Sequence, residues 1–339
     1  MSEGAFTGAV ACFGEVLLRF ASSDGATLRD AGRLDVHVGG AEANVAVALA
    51  NLGFDTRAIS ALPDNALGTL ALKALRREGV DTSYVATGEG RMGSYFLTPA
   101  AGPRDGAVVY DRTGSAFAMC DTYPPEALDG AGHLHVSGIS LAVSKASSAA
   151  TRALAKEAKE KGLTLSFDGN YRPSLWQASG RNGRGEIAEM VGMADLFFGN
   201  HKDISLLLGR EFSGDGGARR REAALALLAE FPGVAVIAST ARHVADGGTH
   251  RITARIDSQE TAAESAERVL TGIVDRIGTG DAYAAGVLAG WLRDPENLRS
   301  AVEGGMALAA LKHYEPGDFC RASEDEWRAA REGSGDVSR

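Results

Sequence analysis

A glycine-rich turn followed by a carboxylate is the stretch of this sequence best suited to chemistry. Gly278 and Gly280 bracket Thr279, so the backbone there can bend tightly and approach a ligand closely. The segment from Asp281 to Trp291 is rich in small apolar residues and predicts a buried helix. The helix start would present unpaired N–H groups and the positive end of its dipole to an anion. With Asp281 as proton acceptor, this combination points to phosphoryl transfer.

The same stretch also has a purely structural interpretation. An aspartate at a helix start is commonly an N-cap, and Gly-x-Gly-Asp by itself is a frequent pattern. The turn lacks the lysine of a Walker loop and does not form a Gly-x-Gly-x-x-Gly fingerprint after a strand. The rest of the chain must therefore decide between a cap and a catalytic base.

Composition restricts the class of protein. A chain of 339 residues can form one large α/β domain or two small ones. The net charge of −9 argues against nucleic acid or an anionic membrane surface as the main partner. Three scattered cysteines, with no signal peptide or membrane span, predict a cytoplasmic protein with reduced thiols. His133 and His135 lack the further ligands of a zinc site, so we interpret them as structural.

A second glycine turn occurs near the N-terminus. Gly39 and Gly40 precede a predicted helix that ends near Leu52, and Asn44 in its first turn can offer a donor and an acceptor to a polyol. A simple helix start is the alternative. Two predicted strands at 92–98 and 107–111 form a hairpin that, with parts of 15–38, predicts a small additional sheet able to cover a cleft.

From about residue 132 the pattern alternates regularly between strands and helices, which predicts a parallel sheet with right-handed crossovers. The polar, glycine-rich segments 177–185, 213–218 and 245–249 predict exposed loops. Ligands of such sheets bind beyond the carboxyl ends of the strands. Polar residues follow three predicted strands there: Asp168, Asn170 and Arg172, then Asn200 and Asp203, then Ser239, Thr240 and Arg242. The GTGD turn also follows a strand-like segment. Together these residues predict a nucleotide and phosphate cleft.

The order of the motifs resembles the PfkB/ribokinase family of sugar kinases, and within it the 2-keto-3-deoxygluconate kinases. The motifs are GEVLLRF, VGGAEANVAVALANLG, LPDNALG, VVYDRTGSA, SFDGNYRPSLW, DRIGTGDAYAAG and ALKHYEPGDF. The resemblance implies a ribokinase-like three-layer α/β/α sandwich with a mostly parallel sheet and a small β-sheet lid. It implies one domain over residues 1–331, a lid from parts of 15–38 and 91–115, and a disordered tail at 332–339.

The resemblance also implies roles for individual residues. Asp281 matches the catalytic base, and Gly278, Thr279 and Gly280 match the anion hole. Substrate-binding positions are matched by Gly39, Gly40, Asn44, Tyr95, Tyr110, Arg112, Asn170 and Arg172. Nucleotide-binding positions are matched by Asn200, Ser239, Arg242, Ala310 and His313, and Asp203 matches a position that acts indirectly on a metal ion. The fork-shaped charge of an arginine suits an acid sugar.

Some of these residues also have purely structural interpretations. Arg112 and Arg172 could be surface arginines, and Tyr95 and Tyr110 could be aromatics that pack the small sheet. The chain also departs from the family pattern at three places. Asp203 stands where the family has glutamate, the segment 238–242 lacks a Lys-x-Gly sequence, and Asp111 replaces an aromatic found in some close relatives.

The function implied by the resemblance is ATP-dependent phosphorylation of the primary hydroxyl of 2-keto-3-deoxygluconate, yielding the 6-phosphate. The implied cofactors are ATP and Mg²⁺, with a monovalent cation as an optional further ion. The expected partners are the sugar acid, ATP and further copies of the chain, as a homodimer through the lid or a higher homo-oligomer, with no nucleic acid and no membrane. The alternatives are a fructokinase-like or other ketose or nucleoside kinase, or a non-catalytic sugar-binding regulator on this fold.

Overall fold

The computed structural model describes residues 6–23, 25–100, 104–246 and 249–333. The strands are β1 (Ala9–Phe13), β2 (Leu17–Ser22), β3 (Leu34–Gly39), β4 (Thr56–Pro63), β5 (Asp81–Gly88), β6 (Ser94–Thr98), β7 (Ala107–Asp111), β8 (Ala131–Ser137), β9 (Thr164–Asp168), β10 (Leu196–Phe198), β11 (Val236–Asp246), β12 (Thr249–Asp257), β13 (Ala262–Glu264) and β14 (Arg268–Thr271). The helices are α1 (Ala41–Asn51), α2 (Ala66–Arg77), α3 (Gly138–Val143), α4 (Lys145–Glu160), α5 (Pro173–Ala178), α6 (Arg184–Met193), α7 (His201–Leu208), α8 (Gly216–Glu230), α9 (Thr279–Arg293), α10 (Leu298–Lys312) and α11 (Glu324–Glu332).

The central sheet has the strand order β13-β12-β11-β10-β9-β8-β1-β4-β5, with β14 paired to β12. The pairs from β11 through to β5 are parallel, and the pairs that involve β12 are antiparallel. Ser137, Asp168 and Phe198 lie in register at the ends of β8, β9 and β10. The carboxyl edge of the parallel strands is therefore where polar side chains collect.

Helices cover both faces of this sheet because side chains along each buried strand alternate between two cores. On β10, Leu196 and Phe198 pack into the core beneath α1, α9 and α10, whereas Phe197 packs into the core beneath α4, α6 and α8. The same alternation occurs on β1, where Cys12 and Ala11 point to opposite cores. The predicted three-layer sandwich with a mostly parallel sheet is confirmed.

A second sheet has the order β3-β2-β6-β7 and joins the two regions that the sequence predicted to pair. Leu17, Tyr95 and Leu97 on one face pack against Ile277, which precedes the glycine turn. Strand β7 is exposed along its length and forms one edge of this sheet, with Val109 56% exposed. Within the described residues, no helix is both long enough and apolar enough to cross a membrane.

Three sequence predictions on the fold need correction. Strand β11 runs to Asp246 and pairs antiparallel with β12, which begins at Thr249, so residues 245, 246 and 249 of the predicted polar loop are strand, and residues 247 and 248 lie outside the described residues. The strand-like segment before the glycine turn is β14, which is antiparallel to β12 and separated from α9 by residues 272–278. Helix α11 extends to Glu332 and ends at Gly333, so the first two residues of the predicted tail are ordered structure, and residues 334–339 lie outside the described residues.

Helices α9 and α10 pack closely because glycines lie at their contact. A Cβ atom placed on Gly286 would lie 2.4 Å from the carbonyl oxygen of Gly304. The first turn of α9 carries Asp281, so this contact anchors the helix that presents the catalytic candidate.

We predict that Gly286→Ala destabilises the protein by about 1–3 kcal/mol, because the added methyl group must push the two helix backbones apart. Gly185→Ala in α6 is the matched control, since a Cβ there meets nothing within 4 Å. The control should be neutral or slightly stabilising. Urea unfolding of both variants checks this, and equal stabilities would contradict the close-contact argument.

Candidate active site

The glycine turn is positioned by its backbone conformation and by what lies beneath it. Gly278 has a φ of 79° and forms the N-cap of α9 without a side-chain cap. A Cβ atom on Gly278 would lie 2.1 Å from the carbonyl oxygen of Asp318, so the turn rests directly on that residue. Ala282 donates the first helical hydrogen bond, to the oxygen of Gly278 at 2.9 Å. The preceding amides of Gly280 and Asp281 thus belong to the helix start that can bind an anion.

One amide of the predicted anion hole is partly engaged. The N–H of Thr279 donates to the carbonyl oxygen of Arg276 at 3.4 Å, and the Thr279 hydroxyl donates to the same oxygen at 3.0 Å. The long amide contact is weak by ordinary geometry. Thr279 therefore stabilises the turn through its hydroxyl as well as lining the cavity.

The carboxylate of Asp281 is held by Asn44 and does not cap the helix. Asn44 Nδ2 donates to Asp281 Oδ2 at 2.6 Å, which joins the first turns of α1 and α9. Burial raises the pKa of Asp281 to about 7, the hydrogen bond from Asn44 opposes that shift, and Glu42 adds to it. A carboxylate with a pKa near neutrality can accept a proton effectively at physiological pH. The alternative that Asp281 is the N-cap is wrong, because the N-cap of α9 is Gly278.

Asp281 lines a cavity of about 820 Å³ at the carboxyl edge of the sheet. Other predicted site residues that line it are Gly40, Asn44, Tyr95, Tyr110, Arg112, Asn170, Arg172, Asn200, Asp203, Ser239, Arg242, Gly278, Thr279 and Gly280. Gly39 does not line it, because Gly39 is covered by Asp318, whose Oδ1 would lie 2.3 Å from an added Cβ. The structure therefore brings together residues from both sheets and from several strand ends.

The small sheet supplies two tyrosines with different surroundings. The Tyr95 hydroxyl donates to Asp318 Oδ1 at 2.8 Å, so its polar atom is already engaged inside the protein. Tyr110 lies opposite Tyr95 on the neighbouring strand, with ring centroids 6.2 Å apart, and is 38% exposed. Both tyrosines line the cavity, and Tyr110 has the larger exposed fraction.

Arg112 is a buried residue rather than the surface arginine of the alternative interpretation. It is 8% exposed, and its Nε donates to Glu15 Oε2 at 2.5 Å. Asp111 beside it turns away from the cavity and forms an exposed ion pair with Arg91. The carboxylate that replaces an aromatic of some relatives is thus neutralised outside the site.

The segment after β9 places a cation and a carboxyl group on the opposite wall. Asn170 is the one non-glycine residue with positive φ (36°) among the described residues, and its N–H donates to Asp168 Oδ1 at 3.0 Å. Arg172 is exposed to the cavity at the N-cap of α5. Burial raises the pKa of Asp168 to about 8, with Asp281 and Asp203 as further causes, and Arg172 opposes them.

A second cavity of about 560 Å³ adjoins the first and shares Arg172, Asn200, Ser239, Arg242, Thr279 and Gly280 with it. His313 lines this second cavity, as predicted for a nucleotide contact. Ala310 does not line either cavity, and its neighbour Ala309 on the same helix lines the second one. The predicted nucleotide contact of Ala310 stays a prediction.

The carboxylates fit a metal ion that arrives with phosphates. Asp203 Oδ2 accepts from the Asn200 N–H at 2.8 Å in a capping box, and Asp203 lies close enough to Asp168 to affect its pKa. No group of three metal-ligating side chains occurs in the described part of the chain. Mg²⁺ commonly uses one or two carboxylates together with substrate phosphates and water. Asp168 and Asp203 suit that mode, and a dedicated protein cage is not what the described residues form.

Several residues at the site were not singled out from the sequence. Asp168 was noted at a strand end but given no role, and Lys202 lines both cavities from within the α7 capping box. Arg276 and Asp318 line the first cavity beside the glycine turn. The PGDF motif contained Asp318, so the signal was present, but its position beneath Gly278 depends on tertiary packing.

Comparisons with known proteins define the class. A model of the pfkB family carbohydrate kinases matches residues 8–319. The chain is 30% identical over 336 residues to a 2-dehydro-3-deoxygalactonokinase of Haloferax volcanii, covering 98% of this chain and 100% of that protein. It is 31% identical over 313 residues to a 2-dehydro-3-deoxygluconokinase of Bacillus subtilis, covering 91% of this chain and 90% of that protein.

A solved structure gives the same result. The crystal structure of a 2-dehydro-3-deoxygluconokinase from Thermotoga maritima superimposes with a TM-score of 0.90 at 32% identity, covering 96% of this chain and all of that chain. The chain therefore belongs to the pfkB family of carbohydrate kinases and is a sugar kinase. The predicted family, fold and enzyme class are confirmed.

Proposed function

We propose that the protein transfers the γ-phosphoryl group of ATP to the primary hydroxyl of 2-keto-3-deoxygluconate (2-dehydro-3-deoxygluconate), yielding the 6-phosphate. The observation that carries the proposal is the placement of Asp281 at an uncapped helix N-terminus, inside a cavity that also contains Arg112 and Arg172. A base, an anion site and two guanidinium groups are the parts that phosphorylation of an acid sugar requires.

In the proposed reaction the sugar lies between the two sheets, with its primary hydroxyl at Asp281. Asn44 orients the carboxylate, which accepts the hydroxyl proton as the oxygen attacks the phosphorus in line. The amides at Gly280 and Asp281 stabilise the negative charge on the transferring group. Asp168 and Asp203 would hold Mg²⁺ together with the nucleotide phosphates, and the ion would offset phosphate charge. The adjoining cavity beside Ser239 and His313 receives the nucleotide.

Arg112 and Arg172 are both proposed to bind the sugar carboxylate. Arg172 is the one that can be tested without a large effect on stability. Truncating Arg112 would leave Glu15 buried without its partner, which commonly costs about 3–5 kcal/mol and confuses binding with stability. Arg172 is exposed and forms no comparable buried pair among the described residues. Its guanidinium can contact a carboxylate or phosphates, so the choice of sugar must separate these roles.

The first prediction concerns substrate choice. With ATP and Mg²⁺, we expect ADP release to be fastest with 2-keto-3-deoxygluconate or its galactonate epimer, because the guanidinium groups favour a carboxylate over neutral sugars. The epimer is included because the Haloferax volcanii relative is named for it. Fructose, ribose and adenosine are the comparison substrates.

A preference for a neutral sugar would retain the kinase and reject the acid-sugar substrate. Sugar-induced thermal stabilisation without ADP release would instead support a non-catalytic sugar-binding protein.

The second prediction concerns the base. Asp281→Asn should lower kcat by about 10²–10⁴-fold while leaving the sugar dissociation constant nearly unchanged, because the amide cannot accept the proton. In the wild type, kcat/KM should rise with pH through about 7, since the elevated pKa of Asp281 keeps the base protonated below that value. Kinetics and calorimetry measure both effects, and a variant with near-normal turnover would refute the assignment.

The third prediction concerns Arg172. Arg172→Leu should raise KM for the keto-deoxy acid by about tenfold or more, whereas a neutral sugar should be affected much less, because a charge-assisted hydrogen bond is lost. The matched control is Arg77→Leu on α2, an exposed arginine that lines neither cavity. Equal increases of KM for acid and neutral sugars would assign Arg172 to the phosphates instead.

A further inference from the structure

A buried charge cluster lies beneath the Gly278 turn, and the proposed reaction does not use it directly. We define this cluster as Arg19, Asp275, Lys312 and Asp318. Arg19 is 1% exposed, Lys312 is 0% exposed and Asp318 is 3% exposed, while Asp275 is partly buried. Four charges this deep require a specific reason, because burying an ion is costly unless it is paired.

Arg19 of the small sheet is the first cation of the cluster. Its Nη2 donates to Asp275 Oδ2 at 2.7 Å, and its Nε lies 3.0 Å from Asp318 Oδ2 in an ion pair whose alignment is outside hydrogen-bond geometry. Asp318 Oδ1 accepts from the Tyr95 hydroxyl. Both carboxylates beneath the turn are therefore paired with groups from the small sheet.

Asp275 is also bound by the backbone on either side of the turn. Its Oδ1 accepts from the Ile277 N–H at 3.0 Å, and its Oδ2 accepts from the Gly317 N–H at 3.1 Å. These contacts join the segment leading into Gly278 to the segment that passes beneath it. Both oxygens of Asp275 are consequently occupied by donors that belong to the protein.

Lys312 is the second cation. It is the last residue of α10, and its Nζ donates to the carbonyl oxygen of Glu315 at 2.8 Å. The Cε atom of Lys312 would lie 3.4 Å from a Cβ on Gly278, so the lysine side chain passes directly under the glycine turn. Burial lowers the pKa of Lys312, and Asp275 and Glu315 act in the opposite direction. The lysine charge thus faces the same carboxylates as Arg19.

The cluster is balanced in charge. Two carboxylates, Asp275 and Asp318, are matched by two cations, Arg19 and Lys312, within one buried region. A mobile cation at this place would need oxygen ligands and unbalanced negative charge. Both Asp275 oxygens, Asp318 Oδ1 and the Glu315 carbonyl already receive protein donors, and Asp318 Oδ2 lies in the ion pair with Arg19. The cluster therefore does not fit a bound monovalent ion as it stands.

We propose that the Lys312 ammonium group is a fixed internal cation that holds the Gly278–Gly280 turn in its anion-binding shape, in place of a mobile monovalent ion. The consequence for activity rests on the proposed function, since it assumes that this turn binds the transferring group. The expected indifference of the folded protein to potassium does not rest on the proposed function. Lys312 is accordingly a positioning residue, and the intact protein is indifferent to which monovalent cation is in solution.

The test that needs no turnover is thermal unfolding in KCl and in tetramethylammonium chloride at equal ionic strength. Wild-type protein should have the same Tm in both salts. Lys312→Met should have a Tm that is higher in KCl by about 2 °C or more, because potassium can enter the place of the ammonium group and bind the folded state. Lys156→Met is the control, since Lys156 is 74% exposed on α4 and should respond like the wild type.

Each other outcome of the unfolding test overturns the proposal. Stabilisation of the wild type by potassium would show that a mobile ion is still required. A folded Lys312→Met with equal Tm values in both salts would show that potassium does not bind in the place of the ammonium group. If Lys312→Met fails to fold in either salt while Lys312→Arg folds, potassium cannot replace the charge and the proposal is rejected.

Kinetics with whichever sugar gives turnover supply the second readout. Wild-type kcat should be equal in both salts, and Lys312→Met should lose kcat by about a hundredfold in tetramethylammonium chloride and recover severalfold in KCl, with little change in sugar KM. Loss of kcat without recovery would indicate a packing role and overturn the proposal. If no tested sugar gives turnover, the proposed function fails while the unfolding comparison still decides the role of Lys312.

Discussion

The ion pairs of Arg19 with Asp275 and Asp318 are the interaction on which the site depends. They connect strand β2 of the small sheet to the two chain segments around the glycine turn. Such a buried pair adds little net stability, because desolvation offsets much of the attraction. Its consequence is geometric, since a buried charge without its partner is costly and so disfavours other placements of the small sheet. The small sheet and the glycine turn are thereby held in a fixed relative position.

Carboxylates crowd the opposite part of the cavity and alter each other. Burial raises the pKa values of Asp168 and Asp281 to about 8 and about 7, and Asp281 contributes to the shift at Asp168. Arg172 lowers both values. Carboxylates that raise each other's pKa are common at functional sites, and a bound cation would relieve their mutual repulsion. A base with a pKa near neutrality follows from burial as much as from any single neighbour.

Much of the candidate site could be predicted because it is encoded in short motifs. The glycine turns, Asn44, Arg172 and Asp281 lie in contiguous segments whose residue types are unusual enough to be recognised. The sequence did not give the lining of the second cavity to the exact residue, because Ala309 lines it and the predicted Ala310 does not. The polar loop predicted near residue 245 was wrong, because strand β11 continues there and pairs antiparallel with β12. Backbone pairing between distant strands depends on neighbours that local patterns do not contain.

The amino-acid sequence by itself determined the family, the alternation of strands and helices, and the candidate residues for the chemistry. It did so because local periodicity and glycine-containing turns are properties of adjacent residues. The tertiary structure decided what those residues touch. Asn44 meets Asp281 across 237 positions, and Arg19 meets Asp275 across 256. It also showed that Arg112 is buried against Glu15 and that Lys312 lies beneath Gly278. Burial, ion pairing and the resulting pKa values are set by such long-range contacts, and these exist once the chain has folded.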